Sequence, residues 1–186
     1  MIRVLAVLAA LAFAVPVVAQ PLPAGLDPQN TILIDTKHGR IVIKLRTDIA
    51  PKHAERIKLL AREKYYDNVP FHRVIEGFMA QTGDGQNGNG TGGSKYPNLQ
   101  AEFSNVPFKR GIVGAARRGD SIHSANSQFF IMVAENSGLN GQYTVVGEVA
   151  AGMNVVNKIK KGSSAANGAV TDPDRMIRVQ VAADAK

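Results

Sequence analysis

The chain has 186 residues, 45% of them hydrophobic and 20% charged, which is enough for one globular domain with a substantial core and too little for two. It contains no cysteine, which excludes disulfides, thiolate catalysis and cysteine-ligated metal sites. The formal net charge is +7, but the basic residues are scattered instead of clustered, so the charge predicts a solvated basic surface and no nucleic-acid partner.

Residues 1–19 have the features of a signal peptide. Arg3 precedes an unbroken apolar run over residues 4–19, and the small residues Val17 and Ala19 suit signal-peptidase cleavage directly after the run. An uncleaved membrane anchor is the alternative, but the run is shorter than the about 20 apolar residues that span a bilayer. We therefore predict cleavage, a periplasmic or secreted location, and no stable membrane insertion afterwards.

The next segment contains a linker and then the start of the domain. Its first part is polar, contains proline and lacks hydrophobic periodicity, which is typical of a linker. Two β-branched runs follow over residues 31–36 and 40–46, and Gly39 between them supports a tight hairpin. The predicted divisions are a linker at 20–30, a domain at 31–182 and a C-terminal tail at 183–186.

A helix is predicted after the hairpin. Asp48 is a candidate N-cap, and Pro51 falls in the first turn, where its missing N–H costs nothing. The spacing of the apolar residues that follow is helical. They share one face, which comprises Ala54, Ile57, Leu60 and Ala61.

Beyond this helix, short apolar runs alternate with turn residues, and a second helix is predicted at 152–159. So many strands with so few long crossovers predict a mainly β fold whose sheet closes into a barrel without exposed edges. The predicted strands in this part of the chain are 78–82, 112–116, 127–133, 143–149 and 176–181.

Two glycine-rich stretches, 83–88 and 88–93, match the GxGxxG spacing of nucleotide-binding loops. The residues that follow, 94–97, include Pro97 and cannot open a helix, so no helix N-terminus is available to hold a phosphate. A mobile glycine-rich loop is therefore predicted. The four histidines never stand at metal-ligand spacing, and we predict neither a metal nor a cofactor.

The run over residues 71–84 reads FHRVIEGFMAQTGD, and its length would allow two adjacent strands. On composition alone its apolar side chains would be core and Arg73 would face water. The alternative is that Arg73, Gln81 and the apolar pair Phe78 and Met79 form one binding surface.

The run closely resembles the signature segment of the cyclophilins, FHRxIxGFMxQxGD. Residues 127–131, SQFFI, resemble a second family strand, residues 90–93, GTGG, resemble its glycine-rich loop, and residues 139–147 resemble its LDG…VFG stretch. These segments occur in the family's order, and the resemblance extends from about residue 31 to residue 181. The bacterial, exported branch of the family is the most similar.

The resemblance implies a closed, eight-stranded antiparallel β-barrel capped by two α-helices, and peptidyl-prolyl cis-trans isomerase activity without a cofactor. It also implies a monomer that acts on proline-containing unfolded or exported polypeptides. Carried over by position, Arg73 is the catalytic group and Gln81 bonds the substrate backbone. The implied substrate-binding residues fall into three groups. His72 orients neighbouring backbone, and the proline pocket is lined by Phe78, Met79, Phe130, Leu139 and Tyr143. The bound peptide is flanked by Ala116, Arg117 and Gln128.

Three positions differ from common family residues. Gly138 stands where an aromatic residue is frequent, Tyr143 where histidine is common, and Arg117 where asparagine is frequent. We expect catalysis to survive these differences. Because the family's recognition of cyclosporin depends partly on the aromatic residue, we expect weak cyclosporin binding.

Two other functions remain open on the sequence alone. A chaperone or peptide-binding module with this fold would be expected to lack the arginine or the apolar pocket residues, whereas both are present here. A nucleic-acid-binding barrel would need aromatic residues interleaved with basic ones. Phe103 and Phe108 with Lys109 and Arg110 are too sparse for that, so the enzyme is preferred.

Overall fold

The computed structural model describes residues 22–185, so the predicted signal peptide lies outside the described residues. Within that range no helix has the length and hydrophobicity needed to cross a membrane. Residues 22–185 contain two α-helices, α1 (Pro51–Arg62) and α2 (Met153–Lys158). The strands are β1 (Thr31–Thr36), β2 (Gly39–Leu45), β3 (Val69–Pro70), β4 (Arg73–Ile75), β5 (Met79–Thr82), β6 (Ile112–Ala115), β7 (Phe129–Met132), β8 (Val145–Ala151), β9 (Arg175–Met176) and β10 (Arg178–Val181).

Eight strands form one antiparallel sheet in the order β10-β1-β2-β8-β6-β7-β5-β4, while β3 and β9 pair separately. The mainly β fold with two helices is therefore as predicted, but the closed barrel is wrong. The sheet is an open, strongly curled half-barrel whose edge strands, β4 and β10, do not pair with each other.

The outer edge of β4 is already occupied by a loop, which explains why the sheet does not close there. We call residues 162–170 the return loop. Val74 donates its backbone N–H to Gly168 O at 2.8 Å and accepts from Gly162 N–H at 2.9 Å, and Val170 donates to His72 O at 3.0 Å. These bonds satisfy the strand edge, so β4 has no free backbone groups with which to meet β10.

The hairpin β1–β2 is confirmed. The apolar face of α1 is confirmed too, because its predicted members are all buried, namely Ala54, Ile57, Leu60 and Ala61. The Asp48 N-cap is wrong. Asp48 pairs with Arg46 at 2.7 Å, and the first N–H groups of α1 donate instead to the carboxylate of Glu102, at 3.1 Å from both Lys52 N and His53 N. A carboxylate at the N-terminus of a helix interacts favourably with the positive end of the helix dipole.

The sheet has an apolar cluster on each face, because neighbouring residues of a strand point to opposite sides. Ala80, Ile131 and Val146 point into the main core, which both helices cover. Their chain neighbours point the other way and contribute to a second, smaller cluster, to which neither α1 nor α2 contributes a side chain. Its buried members are Met79, Phe108, Ile112, Phe130, Met132 and Val145.

Candidate active site

A row of cross-strand neighbours places the catalytic candidates on the same face as the second cluster. Arg73 on β4 lies opposite Gln81 on β5, Gln81 lies opposite Phe130 on β7, and Phe130 lies opposite Gly114 on β6. Directly opposite residues point to the same side of a sheet. The row therefore brings an arginine, an amide and an aromatic ring together, as the resemblance implies.

Gly114 ends the row for a steric reason. A Cβ built on Gly114 would collide with Phe130 Cζ and would lie 2.7 Å from Phe108 Cε1. Only a residue without a side chain leaves room there for both rings. The glycine thus leaves room for the Phe130 ring to approach β6 closely.

Hydrogen bonds extend from Arg73 to the glycine-rich loop. Arg73 Nη1 donates to Gln81 Oε1 at 3.2 Å, and Gln81 Nε2 donates to Gln128 Oε1 at 3.0 Å. Gln128 Nε2 then donates to the carbonyl oxygens of Gly90 and Gly92, at 2.9 and 2.8 Å. The three predicted polar side chains are therefore held in one network.

Among residues 22–185, no carboxylate pairs with the charge of Arg73. The side chain is half-buried, and none of the ion pairs formed within residues 22–185 includes it. Burial lowers the pKa of the guanidinium, but an arginine remains protonated at neutral pH. The site therefore presents a permanent positive charge next to an apolar surface.

The predicted pocket residues all belong to that apolar surface. Met79 and Phe130 are 1% and 5% exposed and form its floor, and Tyr143 stands edge-on to Phe130 with ring centroids 5.6 Å apart. Phe78, Ala116 and Leu139 are among the partly buried side chains that pack against the same cluster. An apolar ring such as proline would be bound here mainly by desolvation.

Phe108 was missed as a member of this surface. It is 1% exposed and stacks on Phe130 with centroids 5.9 Å apart and ring planes at 26°. The residue stands in no strand or helix, so hydrophobic periodicity could not identify it. Its sequence neighbours Pro107 and Lys109 give no signal either.

Arg117 lies at the rim of the apolar surface, where its Cζ is 4.6 Å from the centroid of the Tyr143 ring. A polar cavity of about 280 Å³ adjoins this rim. The predicted residues Gln81, Ala116, Arg117 and Gln128 line one part of it. The other lining residues were not predicted, and they include Thr91, Asn98, Arg118, Ser124 and Asn126.

The glycine-rich loop wraps around a carboxylate of the chain itself. Asp84 accepts backbone N–H groups from residues 86, 87, 89, 90 and 92 at 2.8–3.2 Å. Burial alone would raise the pKa of this carboxyl, but the hydrogen bonds from Asn87, Gly92 and Gly90 outweigh it and lower the pKa to about 2. The backbone N–H groups of this glycine-rich loop, whose spacing matches a nucleotide-binding loop, therefore donate to Asp84 of the same chain.

The low pKa of Asp84 predicts acid sensitivity. A folded-state pKa of about 2 against an ordinary value of 3.8 corresponds to about 2 kcal/mol of stability, present above pH 4 and lost as the pH falls toward 2. We expect urea unfolding to show Asp84→Asn less stable than wild type at pH 6, with the difference shrinking below pH 4. The buried Asp174 also titrates in this range, but both proteins contain it. A difference that stays constant from pH 6 to pH 2 would contradict the assignment.

His72 lies under the glycine-rich loop and not at the apolar surface. Its side chain is buried, and a Cβ on Gly90 would lie 2.9 Å from its Nε2. Burial lowers the pKa of the imidazole, which favours the neutral ring at neutral pH. The part of the chain described here offers neither ring nitrogen a hydrogen-bond partner, and a substrate-binding role for His72 stays a prediction.

Comparisons with known proteins agree with these features. The family model of the cyclophilin type peptidyl-prolyl cis-trans isomerases matches residues 31–181. A probable peptidyl-prolyl cis-trans isomerase of Brucella suis is 53% identical over 190 residues, covering 96% of each chain, and a relative from Brucella abortus is equally similar.

Solved structures give the same result. A cyclophilin from Hirschia baltica superposes with a TM-score of 0.76 at 25% identity, covering 87% of this chain and 77% of its own. A cyclophilin-type isomerase from Cryptosporidium parvum, crystallised in the presence of the dipeptide Ala-Pro, gives a TM-score of 0.73 at 25% identity, covering 81% of this chain and 98% of its own.

Proposed function

Since the chain belongs to the cyclophilin-type peptidyl-prolyl cis-trans isomerases, we propose that Arg73 is its catalytic group and that unfolded, exported polypeptides are its substrates. The enzyme class itself, EC 5.2.1.8, follows from the family. The observation that supports the catalytic assignment is the uncompensated guanidinium held beside the apolar surface by Gln81.

The reaction is rotation about the X–Pro peptide bond. Its barrier is about 20 kcal/mol because rotation breaks amide resonance, and unaided it takes tens of seconds. An enzyme that works in milliseconds must lower the barrier by about 6 kcal/mol. No nucleophile or general base is required, because no covalent bond is made or broken.

Arg73 supplies the selective interaction with the rotated state. In that state the prolyl nitrogen becomes pyramidal and carries a free lone pair, which a charged N–H donor binds better than it binds the planar amide. The guanidinium cannot lose its proton at working pH, and its planar fork fixes the direction of its N–H groups.

The remaining residues hold the peptide while the bond rotates. Phe78, Met79 and Phe130 enclose the proline ring and exclude water from the amide. Gln81 uses one lone pair and one N–H within the protein network, which leaves further hydrogen-bonding capacity on the same amide for the substrate backbone. The dipeptide present with the Cryptosporidium relative supports an X–Pro ligand for this surface.

A protease-coupled assay on a panel of tetrapeptides that vary in the residue before proline tests the substrate assignment. We expect every X–Pro peptide to be accelerated, with differences of KM across the panel, because the cavity beside Ala116 offers polar lining residues to the side chain before proline. Acceleration of no member of the panel would contradict the proposal.

Export is proposed from the N-terminal sequence. We expect residues 1–19 to be removed in the cell, because the apolar run and the small residues before Gln20 suit signal peptidase. N-terminal sequencing of the periplasmic or secreted protein should begin at Gln20. Recovery of the chain from membranes with Met1 still present would contradict export by this route.

Weak cyclosporin binding is proposed from Gly138. This residue is exposed next to Leu139, and its added Cβ would approach only Asn136 Oδ1, at 3.1 Å, so a larger side chain can be placed there. We expect Gly138→Trp to tighten binding tenfold or more, since one stacked or hydrogen-bonded aromatic contributes roughly 1 to 3 kcal/mol. Titration calorimetry measures the change.

Gly138→Ala is the matched control, because it removes the glycine without adding an aromatic ring. We expect it to leave the affinity within about twofold of the wild-type protein. Tight binding by the wild type that the tryptophan does not alter would show that this rim position takes no part in recognition.

A further inference from the structure

The return loop (162–170) brings a second chain segment against the strand that carries Arg73. Besides the three backbone bonds that pair it with β4, the loop is closed on itself by Gly168 N–H to Ser163 O at 2.8 Å. Gly168 is buried, and a Cβ on it would collide with Ile75 Cγ1. The loop is therefore fitted closely to β4.

Asn167 in this loop binds the guanidinium at two points. Arg73 Nε donates to the backbone oxygen of Asn167 at 3.0 Å, and Arg73 Nη2 donates to its side-chain Oδ1, also at 3.0 Å. Asn167 has a φ of 51°, in the left-handed region, which asparagine tolerates better than most residues. This backbone conformation lets one residue present both acceptors to the same group.

The two ends of the guanidinium are therefore held by different elements, Asn167 at Nε and Nη2 and Gln81 at Nη1. An arginine has five N–H groups, and these bonds use three of them. One N–H on each terminal nitrogen has no partner among residues 22–185 and is available to a ligand.

The acceptors that hold Arg73 are all neutral amide oxygens. A carboxylate in the same place would also fix the guanidinium, but it would compensate the positive charge that the rotated substrate needs. An asparagine fixes the plane and preserves the charge. We propose that Asn167 is a positioning residue for the isomerase reaction, acting through Arg73. This inference rests on the proposed catalytic role of Arg73.

Asn167→Gly tests the proposal with little disturbance of the fold. Glycine keeps the left-handed backbone and the backbone acceptor, and it removes the side chain whose Oδ1 binds Arg73 Nη2. We expect kcat/KM to fall by about 5- to 20-fold, because a guanidinium held at fewer points spends less time in the productive orientation. We expect the Kd of a proline peptide to stay within about twofold, since the apolar surface is unchanged.

Asp172→Gly is the matched control. Asp172 also has a φ of 51°, but its side chain is 98% exposed. Its one ion-pair contact among residues 22–185, with Lys160, is long, at 3.8 Å. The substitution relaxes the same backbone strain without touching Arg73. We expect kcat/KM to remain within about twofold of wild type.

Two further measurements separate positioning from a general structural effect. In the Arg73→Ala background, Asn167→Gly should cause no further loss of kcat/KM. In the otherwise wild-type protein, the NMR signal of the Arg73 Nη2 protons should exchange faster with water after Asn167→Gly, at an unchanged melting temperature, because Nη2 loses its Oδ1 acceptor.

Three results would overturn the proposal: wild-type kcat/KM in Asn167→Gly, an equal loss in the Arg73→Ala background, or an unchanged Nη2 proton signal. Failure of the catalytic assignment itself is distinguishable, because Arg73→Ala alone would then retain wild-type activity.

Discussion

Replacing Arg73 by alanine is expected to lower kcat/KM for a proline tetrapeptide by about two to three orders of magnitude, the size typical of losing one charged transition-state donor. The substitution removes the only cation in the network of Arg73, Gln81 and Gln128. Because Arg73 stands on an edge strand and is half-buried, we expect the fold to tolerate the change. A protease-coupled assay measures the loss.

Arg73→Lys is the informative companion variant, because it keeps the charge and changes its geometry. An ammonium on a flexible stem cannot donate simultaneously to Asn167 and Gln81 in the plane of a guanidinium fork. We expect it to recover only part of the lost rate. Full recovery would indicate that charge alone matters, and full activity of the alanine variant would exclude Arg73 as the catalytic group.

The second large effect is expected at Phe130. Phe130→Ala removes the ring that contacts both Phe108 and Tyr143, and it should lower the free energy of unfolding by about 3 to 5 kcal/mol, as for other buried aromatic truncations. The same ring is the floor of the proposed proline pocket. We therefore expect KM to rise, with a smaller change of kcat, which is the opposite of the result expected for Arg73→Ala.

Phe130→Leu keeps this prediction testable if the alanine variant does not fold. Leucine preserves an apolar floor, so the loss of stability should be smaller, while the stacked aromatic contact is still lost. Urea unfolding and a tetrapeptide assay on the same preparation measure both effects. A leucine variant with wild-type KM would show that the peptide does not contact this ring.

The local elements of the fold could be predicted because their signals are local. The β-branched runs of β1 and β2 and the glycine between them predict a hairpin without reference to the rest of the chain. The N-cap of α1 could not be predicted, because the carboxylate that replaces Asp48 belongs to Glu102, about 50 residues away. The same holds for the open sheet, since only the folded chain shows that the return loop occupies the edge of β4.

The residues of the site also divide into those that a local motif could predict and those that it could not. One short hairpin contains Arg73, Gln81, Phe78 and Met79, so a single sequence motif identified all four. Phe108 and Asn167 reach the site from distant segments, and Asn167 is 94 residues from the arginine that it binds. Neither periodicity nor composition reports a contact across that separation.

The proposed mechanism requires Arg73 to bind the rotated state of the X–Pro bond more strongly than the planar one. Exchange NMR on a proline peptide tests it directly, because one experiment gives the isomerisation rate on the enzyme and the dissociation constant under the same conditions. With Arg73→Ala we predict a rate that falls by about two to three orders of magnitude and an affinity that changes by less than about threefold. Equal losses of rate and affinity, or an unchanged rate, would contradict the claim.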